Sequence, residues 1–181
     1  MKAFFKVTFL VLFLFTTINF AQGYNKEAKT INIGAGIGLA GISGDATIPP
    51  LSVGIQYGLT DKISIGGIVG YAGSSYKFGL ITSSYEWKYN YIIVGARGEY
   101  HFMKPEDKLD LYSGVTLGYN IVNVSEPNNL PAYGLGYSAT SSYLLYGGHA
   151  GVRYAFSNGF GLFAEAGYGI GYITGGIFLR M

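Results

Sequence analysis

The stretch Ile31-Asn32-Ile33-Gly34-Ala35-Gly36-Ile37-Gly38-Leu39 alternates an apolar residue with glycine or a polar residue. A period of two places the apolar side chains on one face of a β-strand and the small residues on the other. Further stretches between residues 51 and 181 repeat this alternation. In a soluble sandwich the apolar face would cover a core. Here the opposite face carries glycine and charge, which favours a narrow polar lumen with the apolar face in lipid.

The alternation predicts eight strands of about the length that a tilted strand needs to cross a bilayer. Their apolar positions span residues 31–39, 51–59, 63–71, 92–102, 109–121, 144–156, 160–168 and 173–181. Short connections at 60–62, 103–108 and 157–159 alternate with long polar ones at 41–50, 72–88 and 122–143. Short turns on one side and long extracellular loops on the other are typical of outer-membrane barrels. The predicted fold is therefore all-β, an eight-stranded antiparallel up-and-down transmembrane β-barrel.

The first residues have the pattern of an export signal. Lys2 and Lys6 precede the apolar run 7–15, and Asn19-Phe20-Ala21 resembles a cleavage site. We expect a signal peptide at 1–21 and the outer-membrane β-barrel domain at 22–181. The apolar run is shorter than the ~20 residues of a membrane-spanning helix.

Composition excludes several classes of function. Two of the 12 basic residues lie in the leader, which leaves ten against 10 acidic residues in the mature chain. A neutral chain has no electrostatic footprint for nucleic acid, so no nucleic-acid partner is expected. The chain has no cysteine, which excludes disulfides and thiolate metal sites.

The charged residues of the strands share the inward face in this phase. Shifting the register by one residue would turn all of them toward lipid, where an arginine costs about 2–4 kcal/mol near the midplane. Counting across the predicted turns places His101 opposite Asp110, and Glu165 opposite Gly151 and diagonal to both Arg153 and His149. The predicted lumen charge network comprises Arg97, Glu99, His101, Asp110, His149, Arg153, Glu165 and Arg180.

This network has two interpretations. The group His149, Glu165 and Arg153 could act as an acid–base constellation, or the charges could pair as a salt-bridge plug. We favour the plug, because an eight-stranded barrel is only just wide enough for side chains to fill. No catalytic, cofactor-binding or metal-binding residue is predicted, and no cofactor. The GxGxxG match at 36–41 has no following helix, and we expect no metal-ligand cluster around His101 or His149.

Outward aromatic residues fall at the ends of the predicted strands, where amphipathic rings sit at membrane interfaces. Tyr57, Tyr100, Phe102, Tyr154, Phe156 and Phe160 lie at the short-turn end. Tyr71, Tyr119, Tyr146 and Tyr168 lie toward the loop end. We predict that they form two aromatic girdles.

Several segments resemble the small outer-membrane β-barrel domain family of Gram-negative bacteria, in its Bacteroidetes-type version. They are INIGAGIGLAG at 31–41, GLTDKISIGG at 58–67 and GGHAGVRYAFSNGFGLFAEAGYG at 147–169. The resemblance implies an eight-stranded barrel that the outer-membrane assembly machinery inserts among outer-membrane lipid and lipopolysaccharide. It also implies relatives with adhesion, envelope-tethering and attachment roles. Such barrels usually end in an aromatic residue, whereas this chain ends Phe178-Leu179-Arg180-Met181.

The sequence favours a non-enzymatic protein of the cell outer membrane, structural or acting at the surface through loops 41–50, 72–88 and 122–143. The ligand of these loops is not identified by the sequence. An alternative is a membrane-embedded enzyme that modifies lipid or lipopolysaccharide, with a histidine, a carboxylate and a loop serine. A soluble secreted ligand carrier of the calycin type is a third hypothesis, and it would need a water-compatible exterior.

Overall fold

The chain folds into a closed barrel of eight antiparallel strands in sequence order, β1 to β8. The computed structural model describes residues 24–39, 44–80, 83–125, 138–157 and 159–181, without the side chains of Leu39 and 78–85. The strands are β1 Lys29–Leu39, β2 Asp45–Gly58, β3 Ile63–Leu80, β4 Ser83–His101, β5 Leu109–Ser125, β6 Ser138–Ser157, β7 Phe160–Gly167 and β8 Gly171–Arg180. In these ranges no helix is long and apolar enough to cross a membrane. The predicted signal peptide lies outside the described residues.

Alternation of side chains produces two chemically different barrel faces. Strand β1 closes the barrel against β8, with Ile33 paired to Ile177 and Ile31 to Leu179. These aliphatic positions point outward, as do Ile55, Val94 and Leu117, which are 58%, 49% and 58% exposed. The polar and small residues between them are buried inside. The predicted eight strands and their inward phase are confirmed.

The strands extend further than the alternation indicates at one end of the barrel. We call this end, where β3 meets β4 and β5 meets β6, the hairpin end; the end with the short turns after β2, β4 and β6 is the turn end. Residues 72–88 were expected to form a loop, but β3 and β4 pair through all of it up to Leu80 and Ser83. Residues 45–50, 122–125 and 138–143 are also strand, whereas 41–43 and 126–137 lie outside the described residues. The alternation does not predict these parts of the strands, because their polar residues form no regular apolar stripe.

The rim at the hairpin end is uneven. Strands β3 to β6 have 17 to 20 residues each, whereas β7 has 8 and β8 has 10. Pairing between β6 and β7 begins at His149 and Gly167, so in the described residues the first eleven residues of β6 are not paired with β7. One wall is therefore tall and the wall of β7, β8 and β1 is low.

Two predicted cross-strand registers differ in the structure. Strand β4 pairs with β5 so that His101 faces Tyr112, not Asp110, because the intervening turn shifts the register by two residues. The pairing of Gly151 with Glu165 is confirmed. The predicted Phe156–Phe160 pair is wrong, since a bulge between Ala155 and Ser157 places Ser157 opposite Phe160. The predicted pairing of Leu59 with Ile63 holds, with Leu59 N donating to Ile63 O over 2.9 Å.

Candidate functional site

The polar lumen contains the charged groups that the sequence places inward. Arg97, Glu99, His101, Asp110, His149 and Arg153 are buried, and Glu165 and Arg180 are partly buried. The strand phase explains this, since each residue alternates with an exposed aliphatic or aromatic neighbour. We call Arg97, Glu99, Asp110, Arg153 and Glu165 the charged layer.

Glu99 is the centre of the charged layer. Its Oε2 lies 2.9 Å from Nη2 of Arg153, and its Oε1 accepts a hydrogen bond of 2.6 Å from Nε2 of Gln56. Arg97 Nη2 is 3.7 Å from the same Oε1. Three donors around a carboxylate compensate the free energy that burial of its charge would otherwise lose. Gln56 comes from β2, and its inward phase was the signal that could have identified it.

Arg153 links Glu99 to Asp110 and stacks on a ring. Its Nη1 lies 3.4 Å from Asp110 Oδ2, and its guanidinium carbon lies 3.9 Å from the centroid of the Tyr112 ring. Glycine makes room for that ring: a Cβ at Gly151 would lie 2.5 Å from the Tyr112 hydroxyl oxygen. The arginine therefore contributes a charge to two carboxylates and a cation–π contact.

Glu165 lies opposite Gly151 and diagonal to Arg153 and His149, as predicted. Its ion-pair partner, however, is Arg97, whose Nη2 lies 2.7 Å from Glu165 Oε2. The Tyr112 hydroxyl donates to the same oxygen over 3.2 Å. The arrangement arises because Arg97 reaches across the lumen from β4 to β7, a contact that counting between adjacent strands cannot reveal.

His101 has partners on both ring nitrogens. Its Nδ1 lies 2.9 Å from Asp110 Oδ2, and its Nε2 lies 3.0 Å from Ser64 Oγ. The ring of Tyr24 stacks on it, with centroids 3.8 Å apart and planes 6° apart. Ser64, His101 and Asp110 thus form a chain with the connectivity of a nucleophile, a base and an orienting carboxylate. All three are buried, with Ser64 and His101 at 0% exposure.

The segment 24–28 closes the turn end of the lumen. Tyr24 and Ala28 are buried, Glu27 N donates to Gly58 O over 2.9 Å, and Gly58 N donates to Ala28 O over 2.9 Å. Lys26 N adds a hydrogen bond of 2.9 Å to Asp61. Burial raises the pKa of Tyr24 to about 12. The strand pattern gives no signal for this segment, because it precedes β1.

His149 contrasts with His101. It is 7% exposed, and neither of its ring nitrogens has a hydrogen-bond partner among the described residues. Its Nε2 lies 3.5 Å from Glu99 Oε1. One ligand atom each from Glu99, His149 and Glu165 fall within 4.8 Å of one another. This corrects the expectation that no metal-ligand cluster surrounds either histidine; the three residues come from β4, β6 and β7, so sequence spacing could not bring them together.

An apolar layer lies in the lumen beside the charged layer. Ile93, Leu145 and Ile170 are buried in one cluster, and Ile68 packs against it. Ile170 belongs to the tight turn between β7 and β8. Between this layer and the charges lies a cavity of about 30 Å³, whose lining includes Arg97, His149 and Glu165. Such a cavity has room for about two water molecules.

The predicted girdle residues all face outward. Their exposed fractions range from 37% for Tyr71 and Phe160 to 72% for Tyr146. Edge-on contacts join neighbours at the turn end, with 5.2 Å between the centroids of Tyr100 and Phe102 and 5.4 Å between Tyr154 and Phe156.

Comparison with solved structures identifies the fold. The outer membrane protein OprG from Pseudomonas aeruginosa matches with a TM-score of 0.65 at 14% sequence identity, covering 89% of this chain and 99% of OprG. The N-terminal β-barrel domain of Pseudomonas aeruginosa OprF matches with a TM-score of 0.52 at 16% identity, covering 86% of this chain and 98% of that domain. No protein-family model matches the sequence, and no curated protein matches it. The chain has the fold of the eight-stranded outer-membrane barrels.

Proposed function

We propose that the protein is a non-enzymatic barrel of the Gram-negative outer membrane, with a side-chain-filled lumen and a surface role at its hairpin end. The observation that carries the proposal is the sorting of residues between the two barrel faces. Isoleucine, valine, leucine and aromatic side chains cover the outside, and every predicted lumen charge lies inside. A water-soluble carrier would need polar side chains on its outer face, because a continuous apolar exterior drives association in water.

Lipid and lipopolysaccharide are the proposed surroundings of the outer face. The ten outward aromatic residues would lie at the two interfaces, where amphipathic rings are favoured. The barrel would place its turn end toward the periplasm and its hairpin end outside the cell, after removal of the predicted signal peptide and insertion by the assembly machinery. The Bacteroidetes-type relationship remains part of the proposal.

The packed lumen supports a structural or interaction role over conduction. Segment 24–28, the charged layer and the apolar layer around Ile170 succeed one another along the lumen, and the cavity between the two layers measures only about 30 Å³. We expect refolded protein in planar bilayers to give no stable conductance above the unmodified membrane. Steady single-channel steps would contradict the filled lumen.

The tall hairpin β3–β4 is the proposed contact surface. Among the described residues its last pair with β2 is at Ser75 and its last pair with β5 is at Lys88, and beyond them it continues as a ribbon of two strands. We expect replacement of residues 76–87 by a four-residue turn to leave folding intact, measured as heat-modifiable gel migration, and to reduce adhesion of expressing bacteria to surfaces coated with collagen, fibronectin or heparin. The matched control exchanges the turn residues 104–107. Unchanged adhesion in the hairpin variant would contradict the surface role.

Membrane position is tested separately. Spin labels at Ile55, Val94 and Leu117 should respond to oxygen dissolved in acyl chains and not to an aqueous nickel chelate. The opposite response would exclude the membrane barrel.

A second candidate, a membrane-embedded lipid- or lipopolysaccharide-modifying enzyme, has one specific observation in its favour. The chain Ser64–His101–Asp110 has hydrogen-bond distances suited to nucleophile activation. Burial under Tyr24 argues against it, because a substrate could not reach Ser64. A fluorophosphonate probe on intact protein decides: labelling at Ser64 that His101→Gln abolishes would favour the enzyme, and unlabelled protein would favour the structural role.

A further inference from the structure

We propose that Glu99, His149 and Glu165 form a binding site for one divalent transition-metal ion of the zinc class in the barrel lumen. The first observation is the cluster itself. A carboxylate oxygen from each glutamate and a nitrogen of His149 lie within 4.8 Å of one another. One imidazole and two carboxylates are a ligand set that zinc accepts.

The second observation is independent of the acidic residues. In the part of the chain that the structure describes, His149 is a buried imidazole without a hydrogen-bond partner on either nitrogen, and leaving a buried polar group without a partner is energetically costly. His101, in the same lumen, has both nitrogens occupied by Ser64 and Asp110. Both ring nitrogens of His101 therefore have partners, whereas the ring of His149 lies near the carboxylates of Glu99 and Glu165. A metal ion bound to Nε2 of His149 would give this nitrogen a partner.

The separation of the donor atoms agrees with metal coordination. His149 Nε2 and Glu99 Oε1 are 3.5 Å apart, which is longer than an ordinary hydrogen bond. Two ligands at zinc bond lengths of about 2.0–2.1 Å in tetrahedral geometry lie roughly 3.3 Å from each other. This pair therefore needs a shift of a few tenths of an ångström, while the Glu165 oxygen, which lies within 4.8 Å of both atoms, has to move closer through side-chain rotation.

The arginines act as supports for the ligands. Arg153 holds Oε2 of Glu99, and Arg97 holds Oε2 of Glu165, so one oxygen of each carboxylate is already oriented. Hydrogen bonds of this kind to metal-binding carboxylates orient the ligand and strengthen binding.

A cavity adjoins the three ligands. The cavity of about 30 Å³ is lined by His149 and Glu165 and extends to Tyr168 and Gly169 of the β7–β8 turn. It can hold a water molecule as a fourth ligand.

The test uses the mature chain without a polyhistidine tag, refolded in detergent micelles and verified by heat-modifiable migration. Zinc chloride is titrated against a chromophoric chelator, with magnesium and calcium chloride as comparison ions. We expect one zinc ion per chain, a rise in the unfolding temperature with zinc, and no effect of magnesium or calcium. His149→Ala should weaken binding at least about tenfold. His101→Gln is the matched control, since it removes a lumen imidazole and leaves the three ligands in place.

No zinc binding by the wild type, or equal binding by His149→Ala, would overturn the site. If the variants do not fold, the wild type alone decides through its cobalt complex. The visible absorption of four-coordinate Co²⁺ with nitrogen and oxygen ligands supports the site, and the weak spectrum of six-coordinate Co²⁺ refutes it.

Discussion

Removal of the Arg153 guanidinium should be the most damaging single change inside the lumen. The side chain is 1% exposed, lies 2.9 Å from Glu99 and 3.4 Å from Asp110, and stacks on Tyr112. Arg153→Met keeps most of the volume but leaves two buried carboxylates short of a positive charge. Breaking a buried ion pair in this way costs about 3–5 kcal/mol, which corresponds to roughly two to three and a half decades in the unfolding equilibrium.

The assay is equilibrium urea unfolding of the barrel in phosphatidylcholine vesicles, followed by circular dichroism and by gel mobility. The double variant Arg153→Met with Glu99→Gln should be less destabilised than the sum of the two single variants, because neutralising Glu99 removes the charge that was left uncompensated. Lys62→Met, at the exposed β2–β3 turn, is the control and should behave as wild type. An Arg153→Met midpoint equal to that of the control would refute the view that charge pairing stabilises the packed lumen.

Three other predictions follow from local geometry. Tyr24 has a pKa raised to about 12 by burial; its contribution to stability is complete below about pH 10 and is lost as the pH rises toward 12, so Tyr24→Phe should reduce the loss of stability measured between those values. Gly114→Ala would place a methyl carbon 2.7 Å from the His149 imidazole and should destabilise by about 1–3 kcal/mol in the same urea assay, whereas no measurable change would contradict the close packing at this position. Because the chain has no cysteine, engineered disulfides can report the β4–β5 register. Tyr100→Cys with Ser113→Cys should form a disulfide on oxidation, and Tyr100→Cys with Leu111→Cys should not. The reverse result would support the register predicted from the sequence, in which His101 lies opposite Asp110.

The sequence alone predicted the barrel and which side chains of each strand face the lumen, because a period of two is a local property of each strand. Arg97, Glu99 and Arg153 could be assigned to the lumen for the same reason. Their partners could not be assigned, since the Arg97–Glu165 pair crosses the lumen between strands that are not neighbours. The alternation of apolar residues could not predict the β4–β5 register either, because the register depends on how the turn at 103–108 folds.

Other features leave no periodic signal. The upper parts of β3 and β4 contain many polar residues and no regular apolar stripe, so their pairing was mistaken for a loop. Tyr24 closes the turn end from a segment that precedes the first strand. His149 was recognised as inward, but that its ring has no hydrogen-bond partner among the described residues depends on three-dimensional placement, which no spacing along the chain encodes.

Because the rim is uneven, the sides of the barrel differ from one another around its axis. A large binding partner that approaches the hairpin end contacts β3–β6 first, while β7, β8 and β1 lie further from it. The recessed sector exposes the backbone amides and carbonyls of β6, without a β7 ladder in the described residues, toward whatever stands beside it. Two molecules in one plane would therefore present different profiles to each other according to how each is rotated.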